Sequence, residues 1–323
     1  MNILKKVIIW GIGYNLEQLL NNIMYEEFIG NIKVVGLVSR DRMYYKKLFK
    51  YPIISTNDIM NKIIEYDYII ICSNSFKKIY NDLVENFGVL GEKIIFGYVF
   101  KITNFNFQQY ICIKDSDVSI VSDTCISGNL YNRLGLRFNT PFINTRIHQD
   151  DYIKLINNID YYINEPLHNY TDNKLNIEDI NLNITKSDIN WGRTGYPYGK
   201  LGDLLIHCVH DTSYDEYLIK WNKRKARFNS RNMVALMVID NDEIAREFHE
   251  SKFNGKKVGI YYKKTPYKEI LCLNEWEDIN IRHKFGYNFF NYVYALVGGL
   301  PSAGFCHINI LDLIDVSNDL KVN

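Results

Sequence analysis

The chain has 323 residues, with 38 Lys and Arg against 37 Asp and Glu, a formal net charge of +1, and 47% hydrophobic residues. Charge so closely balanced supplies no field for gathering nucleic acid or an anionic membrane, so neither is expected as a partner. The length accommodates two domains of ordinary size, each with its own core.

Six cysteines (Cys72, Cys112, Cys125, Cys208, Cys272, Cys306) lie far apart with no C-x-x-C pair, and several fall inside apolar runs. Neither a zinc site nor a disulfide framework is read from them, and the pattern fits a reducing cytoplasm. The run K-K-V-I-I-W-G-I-G near the N-terminus is a strand and turn, not a signal peptide, and the longest apolar runs are too short to cross a bilayer. A soluble cytoplasmic protein is expected.

Residues up to about 105 read as a parallel α/β domain. Lys6 to Trp10 is a short buried strand, Gly11-Ile12-Gly13 a tight turn, and Asn15 to Met24 a helix with Leu16, Leu19, Leu20 and Ile23 on one face. Lys33 to Val38 and Tyr68 to Cys72 are further strands, with helical patterns at Ile59 to Tyr66 and Phe76 to Phe87. Ile94 to Tyr98 closes the sheet, and the polar run Lys101 to Gln109 reads as a linker. Continuous apolar strands alternating with helices indicate a parallel sheet covered on both faces. Gly11 and Gly13 stand where a dinucleotide-binding turn would place them, but Leu16 occupies the third glycine position. Asp41 follows the second strand and Ser73 the third, so Gly11, Gly13, Asp41 and Ser73 are the candidate ligand contacts, beside the plainer reading of a tight turn that binds nothing.

This region resembles the small Rossmann-like domains attached to bacterial sugar-modifying enzymes, such as the nucleotide-sugar-binding domain of sugar acetyltransferases. The resemblance implies a sugar nucleotide rather than NAD.

Residues 106–323 form the second domain, expected to be α+β with a papain-like or mixed-sheet core. V-S-I-V-S-D-T-C-I-S-G-N-L runs from a buried strand through a Ser-Asp-Thr turn into a helix, with Cys125 where the helix begins. A thiol there feels the positive end of the helix dipole, which favours thiolate; the plainer reading is a small apolar residue. The loop R-F-N-T-P-F-I-N-T-R suits the rim of a site, and Tyr152 to Tyr162 follows as a helix. Asn164 to Asn190 has little periodicity.

In Y-P-Y-G-K-L-G-D-L-L-I-H-C-V-H-D-T-S, Leu204 to Val209 is a strand whose parity puts His207 and His210 on opposite faces. A two-histidine metal site is thereby unfavoured, and His210 at the strand end is the better base. The basic tail of the next helix, from Lys220 to Arg227, reads first as a solvated face and second as a phosphate contact. Asn232 to Ile239 is a buried strand ending in Asp240-Asn241-Asp242, where Asp240 would orient an imidazole. Strands at Gly255 onward and Ile270 onward, and a helix over Phe285 to Val297, complete the chain.

Four blocks in fixed order carry a second resemblance: S-D-T-C-I-S-G-N-L-Y-N-R-L-G-L-R-F-N-T-P-F-I-N, D-D-Y-I-K-L-I-N-N-I-D-Y-Y-I, Y-P-Y-G-K-L-G-D-L-L-I-H-C-V-H and K-W-N-K-R-K-A-R-F-N-S-R-N-M. They resemble a bacterial family of exopolysaccharide and capsule biosynthesis proteins, itself similar to papain-like cysteine peptidases. The resemblance implies a transferase acting on a sugar or lipid-linked oligosaccharide, in contact with membrane-bound assembly enzymes, with Cys125 as nucleophile, His210 as proton relay and Asp240 as its orienting group. Two alternatives stand beside it. One is a nucleotide-sugar-dependent glycosyltransferase holding a divalent metal on Asp240-Asn241-Asp242. The other is a non-catalytic adaptor of the assembly complex.

Overall fold

The computed structural model describes residues 3–38, 51–170, 196–298 and 308–316. It divides into two units, the first Met1–Cys112 with Arg133–Gly135 and His307–Leu311, the second Ile113–Asn132 with Leu136–Cys306 and Asp312–Asn323. The chain is α/β throughout. Among the described residues no helix is long and apolar enough to cross a membrane.

In the first unit, β1 (Lys5–Trp10), β2 (Ile32–Val38), β3 (Tyr68–Ile71) and β4 (Ile94–Phe96) form one parallel sheet in the order β2-β1-β3-β4. Val7, Ile8, Ile9, Ile69 and Ile70 are completely buried, as continuous apolar strands require when both faces are covered. Helix α1 (Tyr14–Phe28) leaves β1 through Gly11, whose φ of +100° is glycine territory. A Cβ at Gly11 would lie 2.7 Å from the Cys72 carbonyl oxygen. The turn therefore demands glycine twice over, once for the backbone and once for space.

The helical pattern expected at Ile59 to Tyr66 is realised earlier, as α2 (Thr56–Met60). Ser55 and Asp58 set its start through a reciprocal capping box, and Lys62 at φ +53° lies just beyond its end. α3 (Phe76–Asn81) continues into a wider π turn over Asp82–Asn86. The polar run expected as a linker is packed instead: α4 (Phe107–Asp115) begins inside it, and Phe107 is fully buried. Buried Glu26 accounts for this, accepting hydrogen bonds from Phe107 N (3.2 Å) and Asn31 Nδ2 (2.7 Å), while desolvation raises its carboxyl.

The second unit has two sheets, one parallel and one antiparallel, in place of a single mixed one. β5 (Ser119–Ser122), β9 (Met233–Val238), β10 (Lys256–Tyr261) and β11 (Ile270–Cys272) make a wholly parallel sheet in the order β11-β10-β9-β5. A separate antiparallel sheet joins β6 (Leu167–Asn169), β7 (Tyr198–Leu201) and β8 (Leu204–His207). Every residue of β5 and β9 is buried. On β5, the Tyr131 hydroxyl accepts from Ile120 N (3.0 Å) and donates to the Val118 carbonyl (2.7 Å).

The remaining helices are α5 (Ile126–Leu134), α6 (Gln149–Asn157), α7 (Ile159–Asn164), α8 (Tyr214–Lys225), α9 (Asp242–Glu250), α10 (Ile279–Lys284), α11 (Phe289–Gly298) and α12 (Ile310–Ile314), of which α5 and α12 each fall partly in the first unit. The single helix expected from Tyr152 to Tyr162 is broken at Asn158, which leaves the helical region at φ −137°. Ser213 and Asn241 cap α8 and α9 by accepting from Glu216 N (3.2 Å) and Ile244 N (2.9 Å).

Replacing Gly11 with Ala is expected to destabilise the first unit by about 2 kcal/mol, because it adds left-handed strain to a clash with backbone. A urea denaturation series on the intact chain reads this, and an unchanged midpoint would refute it.

Candidate functional site

The carboxyl ends of β5 and β9 lie side by side, with Ser122 in register with Leu236. Beyond β5 the chain turns through Asp123 and Thr124 to Cys125 before α5 begins. The Ser122 hydroxyl shapes this turn, accepting from Thr124 N at 3.3 Å and bonding to Asp123 Oδ1 at 3.3 Å. Val238 N donates to the same Asp123 oxygen at 3.4 Å. Two residues beyond β9 stands Asp240.

A third segment completes the edge. Ile147 N donates to the Asp123 carbonyl (2.8 Å), while Arg146 and His207 exchange backbone hydrogen bonds of 2.9 and 3.0 Å. The Gln149 side chain, in the first turn of α6, reaches the Val238 carbonyl at 2.6 Å. Residues 144–149 therefore bridge β8, the β5 turn and the end of β9. Arg224 and Arg227, from the basic tail of α8, hold the approach to this bridge: Arg224 is buried against the Ile143 carbonyl and over the Phe138 ring, and Arg227 binds the Phe138 carbonyl through two nitrogens. Both arginines are thus occupied in positioning backbone.

The result is a cluster of titratable groups at the ends of parallel strands, the customary place for a site in an α/β fold. Asp123 is buried, and desolvation pushes its carboxyl up to about 8, with Asp240 adding to the rise and the Val238 amide and Arg146 opposing it. Asp240 has an exposed side, yet the protein around it raises its carboxyl by desolvation, against the pull of Arg146 and His148. His207 is 2% exposed, ringed by Tyr196 and Tyr198, with the Tyr196 hydroxyl 3.3 Å from Nδ1. Burial, and then the charges of Arg146 and His148, drag its pKa down to about 3. Groups displaced this far in a shared setting mark a functional candidate.

Cys125 is half-buried and immediately precedes α5, as the sequence suggested; its carbonyl accepts from Asn129 N at 3.4 Å. His210 is exposed, in the turn after β8. His207 and His148 are coupled electrostatically to the cluster, and Asp240 is coupled to His148. Asp240, Asn241 and Asp242 put their side chains to separate uses: Asn241 caps α9, and Asp242 accepts from the Tyr261 hydroxyl (2.8 Å) and Lys263 Nζ (3.3 Å). Among the described residues no three His, Cys, Asp or Glu side chains gather as a metal-ligand group. Sequence reading missed Arg146 and His148, although Arg146 ends the loop assigned to the rim of a site and His148 directly precedes the acidic start of α6.

In the first unit, Gly11, Gly13 and Ser73 stand at the carboxyl ends of β1 and β3. Gly13 caps α1 with open space where its Cβ would be, and Asn15 Nδ2 donates to Asn74 Oδ1 at 2.9 Å. Ser73 Oγ accepts from Ser75 N at 3.2 Å, and Leu16 is fully buried in the place of a third glycine. Asp41 lies outside the described residues.

A family profile described as "Domain of unknown function (DUF1919)" matches residues 97–295, and one described as "C2185-like, N-terminal" matches residues 3–95. The chain belongs to the DUF1919 family. A protein of Haemophilus influenzae described as uncharacterized is 25% identical over 172 residues, covering 52% of this chain and 73% of that protein.

The two extreme shifts act on stability with opposite signs. Asp123 keeps its proton in the native state up to about 8, above its ordinary value of 3.8, so its contribution is complete below 3.8 and is lost as pH rises through 8. His207 stays neutral down to about 3, below its ordinary value of 6.5, so its contribution is complete above 6.5 and is lost as pH falls through 3. Between 6.5 and 8 the loss from Asp123 is no longer offset by His207. Denaturation midpoints followed against pH are expected to fall there by about 1 kcal/mol per pH unit, and to fall less in Asp123→Asn. Equal slopes in the two proteins would contradict the assignment.

Proposed function

We propose that this chain is a transferase of surface-polysaccharide assembly, working by acyl transfer to a sugar at the carboxyl edge of the second sheet. The observation that carries the reading is the hydrogen bond from Ile147 N to the Asp123 carbonyl, which ties the turn leading to Cys125 to the segment bearing Arg146 and His148. A thiol next to a helix start and an imidazole coupled to a carboxylate are the parts that nucleophilic acyl transfer uses. The four sequence blocks supply the biological setting.

The Cys125 thiol gives its proton to an imidazole and attacks the donor carbonyl. The leaving group departs with that proton, and a thioester remains on Sγ. A sugar hydroxyl then loses its proton to the imidazole and attacks the thioester, and the expelled thiolate recovers the proton. We assign the imidazole to His148, whose Nδ1 lies 3.5 Å from Asp150 Oδ2 and whose charge is felt by Asp240, in place of His210. Backbone amides of the first turn of α5 hold the oxyanion. In the first unit, Gly11, Gly13, Asn15 and Ser73 lie where the strand order reverses between β1 and β3, which supports a sugar nucleotide as its ligand.

The test is the alkylation rate of Cys125 against pH, read by peptide mass spectrometry with exposed Cys112 as the internal standard. A low apparent pKa that rises toward about 8.5 in His148→Gln is expected, with labelling near neutral pH slowed about tenfold. A rise confined to His210→Ala would return the relay to that residue. Slow labelling indifferent to both histidines would make Cys125 a structural thiol and end the acyl-transfer reading.

A further inference from the structure

No residue beyond β11 enters the candidate site, yet the sequence there is unusual. From Ile279 to Leu311 it contains no Asp or Glu, and six aromatic residues fall between Phe285 and Tyr294. Part of this stretch is ordinary core. Along α11, Tyr292, Val293, Ala295, Leu296 and Val297 are buried, and the Phe289 ring packs 5.6 Å from that of Trp276.

The approach to α11 is different. In α10, Ile279 is 60% exposed, and exposed His283 stands one helical turn further on the same face. Tyr287 is 61% exposed, its ring 6.3 Å from that of His283. Ile279, His283 and Tyr287 therefore make one outward row, with exposed Lys284 next to it in the chain. Gly286 and Tyr287 both adopt left-handed backbone, at φ +60° and +57°, and end α10 with a hydrogen bond from Tyr287 N to the Arg282 carbonyl (2.7 Å). Glycine takes that conformation freely, but a bulky residue there is strained. Burial does not offset the strain, since most of the tyrosine faces solvent.

Charge is sorted along the same segment. Glu275, Glu277 and Asp278 all precede α10, and Asp278 is engaged as its cap, accepting from Asn280 N at 2.8 Å. Arg282, His283 and Lys284 make up the last turn. Arg282 Nε is bound to the Trp276 carbonyl at 2.6 Å, so Lys284 carries charge outward.

An aliphatic side chain, a phenol and an ammonium in one exposed row match the interfacial layer of a bilayer. There the aliphatic group meets the acyl boundary, the phenol sits at headgroup level and the cation meets anionic phosphate. Balanced charge over the whole chain does not oppose this, because screening limits the attraction to about 10 Å. The contact is with the surface alone: at about 1.5 Å per residue α11 is far shorter than a hydrocarbon core of about 30 Å.

We propose that the corner between α10 and α11 rests on the surface of an anionic lipid bilayer, with Ile279 and Tyr287 entering the headgroup layer and Lys284 against lipid phosphate. Such a contact goes beyond the transferase reading and does not rest on it, although a lipid-linked acceptor would give it a use.

The test is co-sedimentation of the intact chain with vesicles of phosphatidylglycerol and phosphatidylcholine in equal parts, beside vesicles of phosphatidylcholine alone. Binding to the anionic vesicles is expected, and several-fold less to the neutral ones. Ile279→Ser combined with Tyr287→Ser should cut anionic binding at least tenfold, and Lys284→Gln several-fold, with urea midpoints held because all three side chains are exposed. In Tyr287→Trp the added emission should shift to the blue on anionic vesicles and be quenched by brominated lipid, which reports the position of the row directly. Neither readout involves Cys125.

Absence of binding to anionic vesicles, equal binding by the double variant, or no quenching in Tyr287→Trp would each overturn the proposal. Sedimentation velocity without lipid covers the remaining occupant. A dimer that the double variant loses would give the row to a second copy of the chain and overturn the bilayer assignment.

Discussion

The parallel pairing of β5 on β9 is the constraint on which the second unit depends. Its register places Ser122 opposite Leu236, so the chain leaves the sheet with Asp123 near the last amide of β9 and Asp240 two residues beyond that strand. Two carboxyl groups are thereby forced into one partly dry corner. Arg146 is the compensating charge, and it is carried there by backbone hydrogen bonds to His207 and, one residue later, to Asp123. Remove the pairing and Asp123 loses the Val238 amide and its position near Asp240.

Much of the architecture was legible because it rests on local periodicity. β1, β3 and β9 were found within a residue or two by their unbroken apolar runs, and Cys125 was correctly placed at a helix start by the Ser-Asp-Thr turn before it. Where the reading slipped, a tertiary contact had overridden the local pattern. The run Lys101 to Gln109 looks like a linker because it is polar, and it is packed because Glu26, distant in sequence, receives the amide that opens α4. Asn158 splits an otherwise continuous amphipathic helix, and periodicity alone gives no weight to one such residue.

The site was legible in its parts and not in its assembly. Asp240 and Cys125 were singled out by their positions after strands, a rule that works because strand ends converge. His210 satisfies the same rule in the turn after β8, and β8, in a separate sheet, also carries His207, whose backbone pairs with Arg146. The antiparallel bridge between His207 and Arg146 brings His207 to the segment that also bears His148. A one-dimensional pattern contains no record of that pairing.

Tyr131 has a further consequence. β5 is the outermost strand of its sheet, and on its outer side one phenol hydroxyl engages both the Ile120 amide and the Val118 carbonyl. Those are the groups through which another strand would attach. An edge left bare is a template for joining other chains. Here a single side chain closes it from within the fold, so this margin of the sheet is shielded from extension by a neighbouring molecule without any charged residue being spent on its defence.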